Sequence, residues 1–310
     1  MKVEELRKNL RGVIIPAITP MKEDFSLDLA GLRANLERAI EEGIVNGKGG
    51  FIICGGGGEL PFLTFEERRQ VVQVAVEAAR GRAPILAGVQ DGGTALSVEL
   101  AKQMEDVGAD GLQLGPPCFY HNHSEDDVFR YYEAVAEAVN IGILAYNTWW
   151  TAPNMRAEFI ARLAELPSVV GVKWSSPDTS DYLRGFRLWA ERLNVIDNEG
   201  LHIQSHVMGA SGFISGCGDF WPQYDLKIWE LLEQGKYRRV REELVRLNWP
   251  LYDFRGRIGR LTGGEASVKK AAAELVGRAG GPPRPPTRPL TEKERQELRE
   301  LLARADVPLV

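Results

Sequence analysis

The chain alternates short apolar runs with longer amphipathic segments, and this alternation restricts the possible folds more than any other feature. The short runs have the length and composition of β-strands that are buried on both faces, as in a parallel sheet. Eight such runs occur: Val13–Ile18, Gly50–Ile53, Pro84–Ala87, Gly111–Leu114, Gly142–Tyr146, Val169–Lys173, Asn194–Asp197 and Gly212–Ser215.

Helical patterns separate these runs. They lie near residues 27–43, 65–80, 94–107, 125–139, 156–166, 180–193, 201–208 and 223–234. Eight strand–helix units in about 225 residues match the number and length expected of a TIM barrel. We therefore predict an α/β fold, a (β/α)8 barrel over residues 1–234. The seventh strand is the weakest element of the pattern, because its run is short and polar.

Three further helical patterns follow the barrel, near residues 236–254, 265–278 and 291–304. The segment Gly280–Pro289 between the last two is rich in proline and glycine and cannot form regular structure. We expect residues 235–310 to form a helical extension that packs on the barrel.

Helix starts are readable at two positions. Thr64 with Glu67 forms a capping box, and Ser124 precedes three acidic residues that suit a helix N-terminus.

Charge and cysteine content restrict the location and the partners. The net charge is −5 and no basic stripe is visible, which argues against a nucleic-acid partner. Three scattered cysteines favour a reducing compartment over a disulfide framework. The first residues lack the apolar centre of a signal peptide, and no run is long enough to span a bilayer. We expect a cytoplasmic protein without a membrane partner.

Lys173 stands at the end of the sixth apolar run. A strand buried on both faces disfavours an ammonium group, so burial would lower the lysine pKa. A neutral amine is a nucleophile whose natural electrophile is a carbonyl carbon. A lysine whose head group reaches water is the alternative interpretation of this position.

Two other strand ends carry residues suited to the same chemistry. The second strand is followed by four glycines, Gly55–Gly58, and then Glu59. Such a turn allows its N–H groups to approach a carboxylate. The fifth strand ends at Tyr146, which can move a proton during carbonyl chemistry. Tyr120 follows the fourth strand.

Together these segments resemble the dihydrodipicolinate synthase / N-acetylneuraminate lyase family. The matching motifs occur in the family's order over nearly the whole chain: Pro16 with Thr19-Pro20, Gly55–Glu59, Pro117 with Tyr120, Tyr146-Asn147, Gly171–Lys173, Gly212–Ser215, and the tail from Val268 to Pro286.

The resemblance implies a class I lyase. Lys173 would form a Schiff base with C2 of a 2-oxo acid such as pyruvate, and Tyr146 would move protons to and from the substrate oxygen. The amides of Gly56 and Gly57 would hold the substrate carboxylate, and Tyr120 would reach a neighbouring subunit's site. The predicted substrate contacts further include Asn147, Ser175 and Ile214. The resemblance implies no metal or organic cofactor. It implies a homotetramer or a dimer.

The chain departs from the family pattern at two places. Gly56 and Gly57 replace the hydroxyl residues that the family commonly carries there. The arginine that dihydrodipicolinate synthases place a few residues after Tyr146 is missing, and Thr148–Thr151 stands in its stretch. We therefore predict a lyase other than a dihydrodipicolinate synthase.

The sequence leaves the substrate and the reaction open. Trp149, Trp150, Trp174 and Trp221 follow strand ends and would suit an aromatic aldehyde portion. Ser175 and the segment 197–199 would instead suit a hydroxylated substrate.

An aldolase is the primary hypothesis. A dehydratase of a 3-deoxy-2-oxo sugar acid and a catalytically impaired 2-oxo-acid-binding homologue are the alternatives. The polar segment 121–126 is explained by helix capping better than by metal binding.

Overall fold

The computed structural model describes residues 1–118 and 123–310. Within these residues, parallel strands close into one barrel in chain order, which confirms the predicted (β/α)8 fold. The strands are β1 (Gly12–Pro16), β2 (Gly49–Ile53), β3 (Ile85–Gly88), β4 (Gly111–Leu114), β5 (Gly142–Tyr146), β6 (Val169–Trp174), β7 (Asn194–Asp197) and β8 (Gly212–Ile214).

Helices follow the strands and continue after the last one. They are α1 (Val3–Asn9), α2 (Leu29–Glu41), α3 (Phe65–Ala79), α4 (Thr94–Asp106), α5 (Glu125–Ala138), α6 (Ala157–Leu163), α7 (Thr179–Trp189), α8 (His202–Val207), α9 (Pro222–Glu233), α10 (Tyr237–Glu243), α11 (Trp249–Thr262), α12 (Ala266–Leu275) and α13 (Glu292–Arg304). None of these helices is both long and apolar enough to cross a bilayer.

Local signals explain the starts of α3 and α5. Thr64 and Ser124 both form capping boxes, each with the residue three positions later. The single pattern expected near 236–254 is instead divided by a π-helical turn, Leu244–Asn248. Pro250 lies in the first turn of α11 and lacks the N–H that an uninterrupted α-helix would use there.

The short first helix, α1, closes the amino-terminal end of the strands and was not predicted. Leu6 and Leu10 of α1 are fully buried in a core that includes Leu144 and Val170. A Cβ on Gly111 or Gly142 would approach Leu6 Cδ2 to 2.5 or 2.8 Å, so these strands begin with glycine where Leu6 packs.

The same helix accounts for the polar start of β7. The Asn194 side chain donates hydrogen bonds to the carbonyl oxygens of Arg7, at 2.6 Å, and Leu10, at 2.9 Å. Unpaired buried carbonyl groups are costly, so an amide at this position is stabilising.

The chain divides into two compact units. The first contains Met1–Ile14, Val45–Ile52 and Gly81–Ile214. Its centre is the apolar cluster that includes Ile14, Leu86 and Ile196, all fully buried. Burying a leucine or isoleucine side chain of this kind contributes about 2–3 kcal/mol.

The second unit contains Ile15–Ile44, Ile53–Arg80 and Ser215–Val310. Within it, Asn35 of α2 both donates to the carbonyl of Ala279, at 2.8 Å, and accepts from its N–H, at 3.0 Å. Gly281 has φ +71°. A Cβ added to it would lie 1.8 Å from the carbonyl oxygen of Met21. Glycine is therefore required at this position.

The pair Glu67–Arg284 should make stability depend on pH. Hydrogen bonds from Arg284 lower the pKa of Glu67 from 4.5 to about 2, although partial burial acts in the opposite direction. A lowered folded-state pKa stabilises above the unfolded pKa, so this stability is lost as pH falls from 4.5 towards 2. We expect Glu67→Gln to cost about 2 kcal/mol near neutral pH.

Urea unfolding of the Glu67→Gln variant between pH 7 and pH 2 checks this expectation. The difference from the unsubstituted protein should shrink across that window. Glu66→Gln, at a neighbouring exposed position of α3, is the control and should have a smaller effect. A Glu67→Gln cost that stays constant with pH would contradict the assignment.

Candidate active site

Lys173 is buried at the carboxyl end of β6, where it is 5% exposed. Its Nζ donates a hydrogen bond to Gln113 Oε1 at 3.3 Å and lies 3.9 Å from the centre of the Tyr146 ring. The head group therefore points into a polar and aromatic environment within the first unit.

Strand register brings these residues together. Tyr146 is the direct neighbour of Lys173 across β5 and β6, and Gln113 pairs with Leu144 across β4 and β5. Gln113 was not among the residues predicted from the sequence. In the sequence, the signal for Gln113 was a polar residue inside an otherwise apolar strand. In the structure, its side chain is 3% exposed.

Asn147 and Ser175 lie next to these residues and are fully buried. The Asn147 amide donates to the Ser175 carbonyl at 2.7 Å and to Asn154 Oδ1 at 2.8 Å, and its oxygen accepts from the Met155 N–H at 2.9 Å. Ser175 Oγ donates to the Asn147 carbonyl at 2.8 Å. These contacts hold the loop after β5 against the end of β6.

The tryptophans occupy two different environments. Trp150 packs edge-on against Tyr146 at a ring-centre distance of 6.0 Å, and Trp149 packs edge-on against Trp150 at 5.4 Å. Both are exposed, at 49% and 38%. Trp174 is instead fully buried and stacks on Tyr182, so it belongs to the core. Trp149 and Trp150 are therefore placed to contact a ligand near Tyr146, whereas Trp221 stacks on Tyr224 at a ring-centre distance of 5.1 Å.

A carboxyl group lies after β7, beside the end of β6. Glu199 Oε1 accepts a hydrogen bond from the Ser176 N–H at 3.1 Å. Burial raises the pKa of Glu199 and the charge of Asp197 adds to this, whereas hydrogen bonds from Ser176 and Trp149 act in the opposite direction. The group therefore holds a proton more readily than an ordinary glutamate.

Asp197 itself is fully buried and fully engaged in local structure. It accepts hydrogen bonds from Tyr182 Oη at 2.7 Å and the Glu199 N–H at 3.0 Å, and His202 Nδ1 lies 2.8 Å from its other oxygen. This network fixes the backbone that carries Glu199.

The glycine turn follows β2 in the second unit. Non-glycine residues with positive φ lie on both sides of it, Cys54 at 55° and Glu59 at 59°. Such strained backbone is common at functional sites. Gly56 is exposed, whereas Gly57 is buried.

Two consecutive lysines of α12 contact this turn. Lys270 forms an ion pair with Glu59, and both side chains are 1% exposed. Lys269 Nζ donates to the Pro16 carbonyl at 2.6 Å and forms an ion pair with Asp219 at 2.7 Å. The tail was recognised from the sequence only as a family motif, and its contact with the turn was not predicted.

The structure describes one of the two remaining predicted contacts, Ile214 and Tyr120. Ile214 ends β8 and is half-buried. Tyr120 lies outside the described residues, as do the neighbouring residues 119, 121 and 122.

In the described ranges, no three His, Cys, Asp or Glu side chains are grouped to bind a metal ion. Burial raises the pKa of the Cys54 thiol to about 12, which disfavours a reactive thiolate.

A closed parallel (β/α)8 barrel with a buried lysine at one strand end and a tyrosine on the neighbouring strand suits a lyase that acts on carbonyl compounds. Residues 9–305 match the model of the dihydrodipicolinate synthetase family. The chain belongs to this family.

Individual relatives carry different activities in their names. The chain is 33% identical to a Pyrobaculum neutrophilum protein called an uncharacterized DapA-like lyase, over 94% of this chain and 97% of that protein. It is 34% identical to a "probable 5-dehydro-4-deoxyglucarate dehydratase" from Bradyrhizobium diazoefficiens, over 94% and 91%.

A solved structure shares the fold over nearly its full length. Dihydrodipicolinate synthase from Acinetobacter baumannii, complexed with pyruvate, superposes with a TM-score of 0.82 at 25% identity, over 96% of this chain and 99% of that one.

Proposed function

We propose that the protein is an aldolase that forms a Schiff base between Lys173 and a 2-oxo acid such as pyruvate. The observation that carries this proposal is the placement of Lys173 Nζ, buried beside the Tyr146 ring and the Gln113 amide oxygen. A neutral lysine amine attacks a carbonyl carbon, and water leaves as the iminium forms.

Bond cleavage and proton transfer would involve the iminium of Lys173 and its neighbouring residues. The iminium of Lys173 accepts the electron pair released when the bond between C3 and C4 breaks. Tyr146 would carry the proton between substrate oxygens, as a general acid and base. The Gln113 carbonyl oxygen, which accepts from Lys173, would orient the amine before attack.

Carboxylate recognition is proposed for the glycine turn. The amides of Gly56 and Gly57 would bind the substrate carboxylate, with Ile214 and Tyr120 as further contacts. The carboxyl ends of barrel strands carry the active site in this architecture. Asn147 and Ser175 would contribute by fixing the loop after Tyr146, since their side chains hydrogen bond to backbone and to Asn154.

A dihydrodipicolinate synthase activity is not proposed. In that stretch after β5, the hydroxyls of Thr148 and Thr151 hydrogen bond to each other at 2.6 Å. The sequence there offers aromatic rings and hydroxyl groups in place of a guanidinium that would bind a second carboxylate.

Reductive trapping tests the proposed mechanism. Pyruvate with borohydride should convert the imine to a stable secondary amine, and peptide mass mapping should find the added mass on Lys173. The Lys173→Met variant is the control and should stay unlabelled. A label on another lysine, or none at all, would refute the mechanism.

Dehydration is a second candidate, because Glu199 retains a proton more readily than an ordinary glutamate. A protonated carboxyl group can protonate a departing C4 hydroxyl. Incubation with 3-deoxy-2-oxo sugar acids separates the two reactions. Release of pyruvate indicates the aldolase, whereas loss of water with an intact carbon chain indicates the dehydratase. Labelling of Lys173 without turnover of any substrate would indicate a binding homologue.

The wider organisation is proposed from the family resemblance. We expect a cytoplasmic homotetramer or dimer, with residues 1–234 as the barrel and 235–310 as its helical extension. The described cysteines are free thiols, in keeping with a reducing compartment.

A further inference from the structure

The side-chain amide of Gln113 lies beside Lys173 in a defined orientation. Its Oε1 accepts from Lys173 Nζ at 3.3 Å, and the residue is 3% exposed. A lysine ammonium group carries only donors, so it is the oxygen of the amide that faces it. The Nε2 atom therefore forms the other arm of the amide, next to the same lysine head group.

This second arm of Gln113 is unused within the protein. Among the residues that the structure describes, Nε2 has no hydrogen-bond partner, and it is not one of the polar atoms sealed from solvent. The nearby amide of Asn147, in contrast, uses both its oxygen and its nitrogen. An unpaired donor on a buried side chain costs free energy, so its presence beside Lys173 points to a bound ligand as its partner.

The two arms of the Gln113 amide match the adduct that Lys173 would form with a 2-oxo acid. When the amine adds to the carbonyl carbon C2, that carbon carries both an N–H group and an oxygen. The amide Oε1 can keep its hydrogen bond from this nitrogen while Nε2 donates to this oxygen. A primary amide presents its acceptor and its donor side by side, so both hydrogen bonds can form together in one closed ring.

We propose that Gln113 is a catalytic residue whose Nε2 donates a hydrogen bond to the C2 oxygen of the 2-oxo acid while Lys173 attacks C2. This inference rests on the proposed function, in which the Oε1 atom of the same amide orients the amine. The donor adds a separate role, because it acts on the substrate oxygen and not on the lysine.

The donor acts at the step in which charge develops on that oxygen. The nitrogen lone pair forms the bond to C2, and the π electron pair of the carbonyl group moves onto the oxygen. A proton then passes from nitrogen to oxygen. A second proton, carried by Tyr146, allows the oxygen to leave as water while the C2–N double bond of the iminium forms. A donor already aimed at the developing oxyanion stabilises the transition state for attack.

The rates of two covalent reactions at Lys173 test this role. Rapid mixing with saturating pyruvate, followed by trapping with cyanoborohydride, measures the formation of the iminium. Acrylonitrile adds to amines and carries no oxygen, so its rate measures the reactivity of the amine alone. Peptide mass mapping assigns both products to Lys173.

Two substitutions of Gln113 remove the donor in different ways. Gln113→Glu keeps an oxygen towards Lys173 but replaces the donor with a second acceptor. Its charge also favours the ammonium form, so rates are compared on the plateau that each reaches at high pH. The plateau rate with pyruvate should fall on the order of 10²–10³-fold, whereas the rate with acrylonitrile should change much less.

Gln113→Met removes both arms of the amide without adding a charge. Its pyruvate rate should fall at least as far, and further than its acrylonitrile rate, and this comparison decides the question if Gln113→Glu does not fold. Gln223→Glu is the control, because Gln223 lies at the exposed start of α9. It should react with both reagents as the unsubstituted protein does.

The outcomes separate this inference from the proposed function. Equal slowing with both reagents would show that Gln113 acts on the amine alone, and it would overturn the inference. An unchanged pyruvate rate in the Gln113 variants would overturn it as well. In both cases a label on Lys173 would leave the proposed function standing. Absence of label in the unsubstituted protein would instead refute the proposed function.

Discussion

Replacing Lys173 by methionine should lower kcat/KM by on the order of 10⁴-fold or more, the range seen when a nucleophile is removed. Methionine has a similar length and is apolar, so it can occupy the same buried site. The Schiff base cannot form without the amine. Turnover of the preferred 2-oxo acid substrate, measured with matched folding controls, checks this expectation.

Two further variants define the cause of that loss. Lys173→Arg retains a cation that cannot form an imine, and it should be as inactive as the methionine variant. Tyr146→Phe should retain labelling by pyruvate and borohydride but lose on the order of 10²–10⁴-fold in turnover, because a proton carrier is removed. Substantial activity in Lys173→Arg would show that the lysine acts through charge alone.

Lys270→Met should be strongly destabilising. Burial lowers the pKa of Lys270, whereas the nearby carboxylate of Glu59 opposes that effect and keeps the ion pair together. Both side chains are 1% exposed, so removing the lysine leaves a buried carboxylate without its counter-ion. Such a change costs about 3–5 kcal/mol.

Urea unfolding with a double-substitution cycle measures this effect. Glu59→Gln combined with Lys270→Met should recover most of the lost stability, because no uncompensated charge remains. The amide oxygen at position 59 can still accept the Arg284 N–H that Glu59 Oε1 now binds at 2.8 Å. If the double variant is as unstable as the single one, packing rather than charge accounts for the loss.

A surface pair supplies the matched control. Lys227 pairs with Glu243 at 2.5 Å, but its side chain is 53% exposed. Lys227→Met should cost about 1 kcal/mol or less, since exposed ion pairs contribute little. Glu243 also pairs with Arg246 at 2.7 Å, so Lys227→Met, unlike Lys270→Met, leaves no carboxylate without a counter-ion.

The site contains features that favour two different substrate classes. Trp149 and Trp150 form an exposed aromatic pair next to Tyr146, which suits an apolar or aromatic aldehyde portion. Glu199 lies beside the end of β6 and suits a hydroxylated chain. Trp149 also acts to lower the pKa of Glu199, so the two features adjoin each other. Substrate tests should therefore include both apolar or aromatic aldehydes and hydroxylated ones.

Signals that act over a few neighbouring residues determine much of this protein's architecture. Strand and helix periods define the barrel, and capping residues such as Thr64 and Ser124 define helix starts, because these effects extend over one or two turns. Lys173 and Tyr146 could likewise be identified as candidate catalytic residues from the local sequence. Each is a chemically suited residue at the end of an apolar run.

Contacts between distant residues follow from the tertiary structure alone. Gln113 and Lys173 are 60 positions apart, and Pro16 and Lys269 are 253 apart. Nothing in the local pattern around these residues indicates which distant residue each will contact. Such partners are selected by packing and by the cost of unpaired buried polar groups, and both depend on the whole fold.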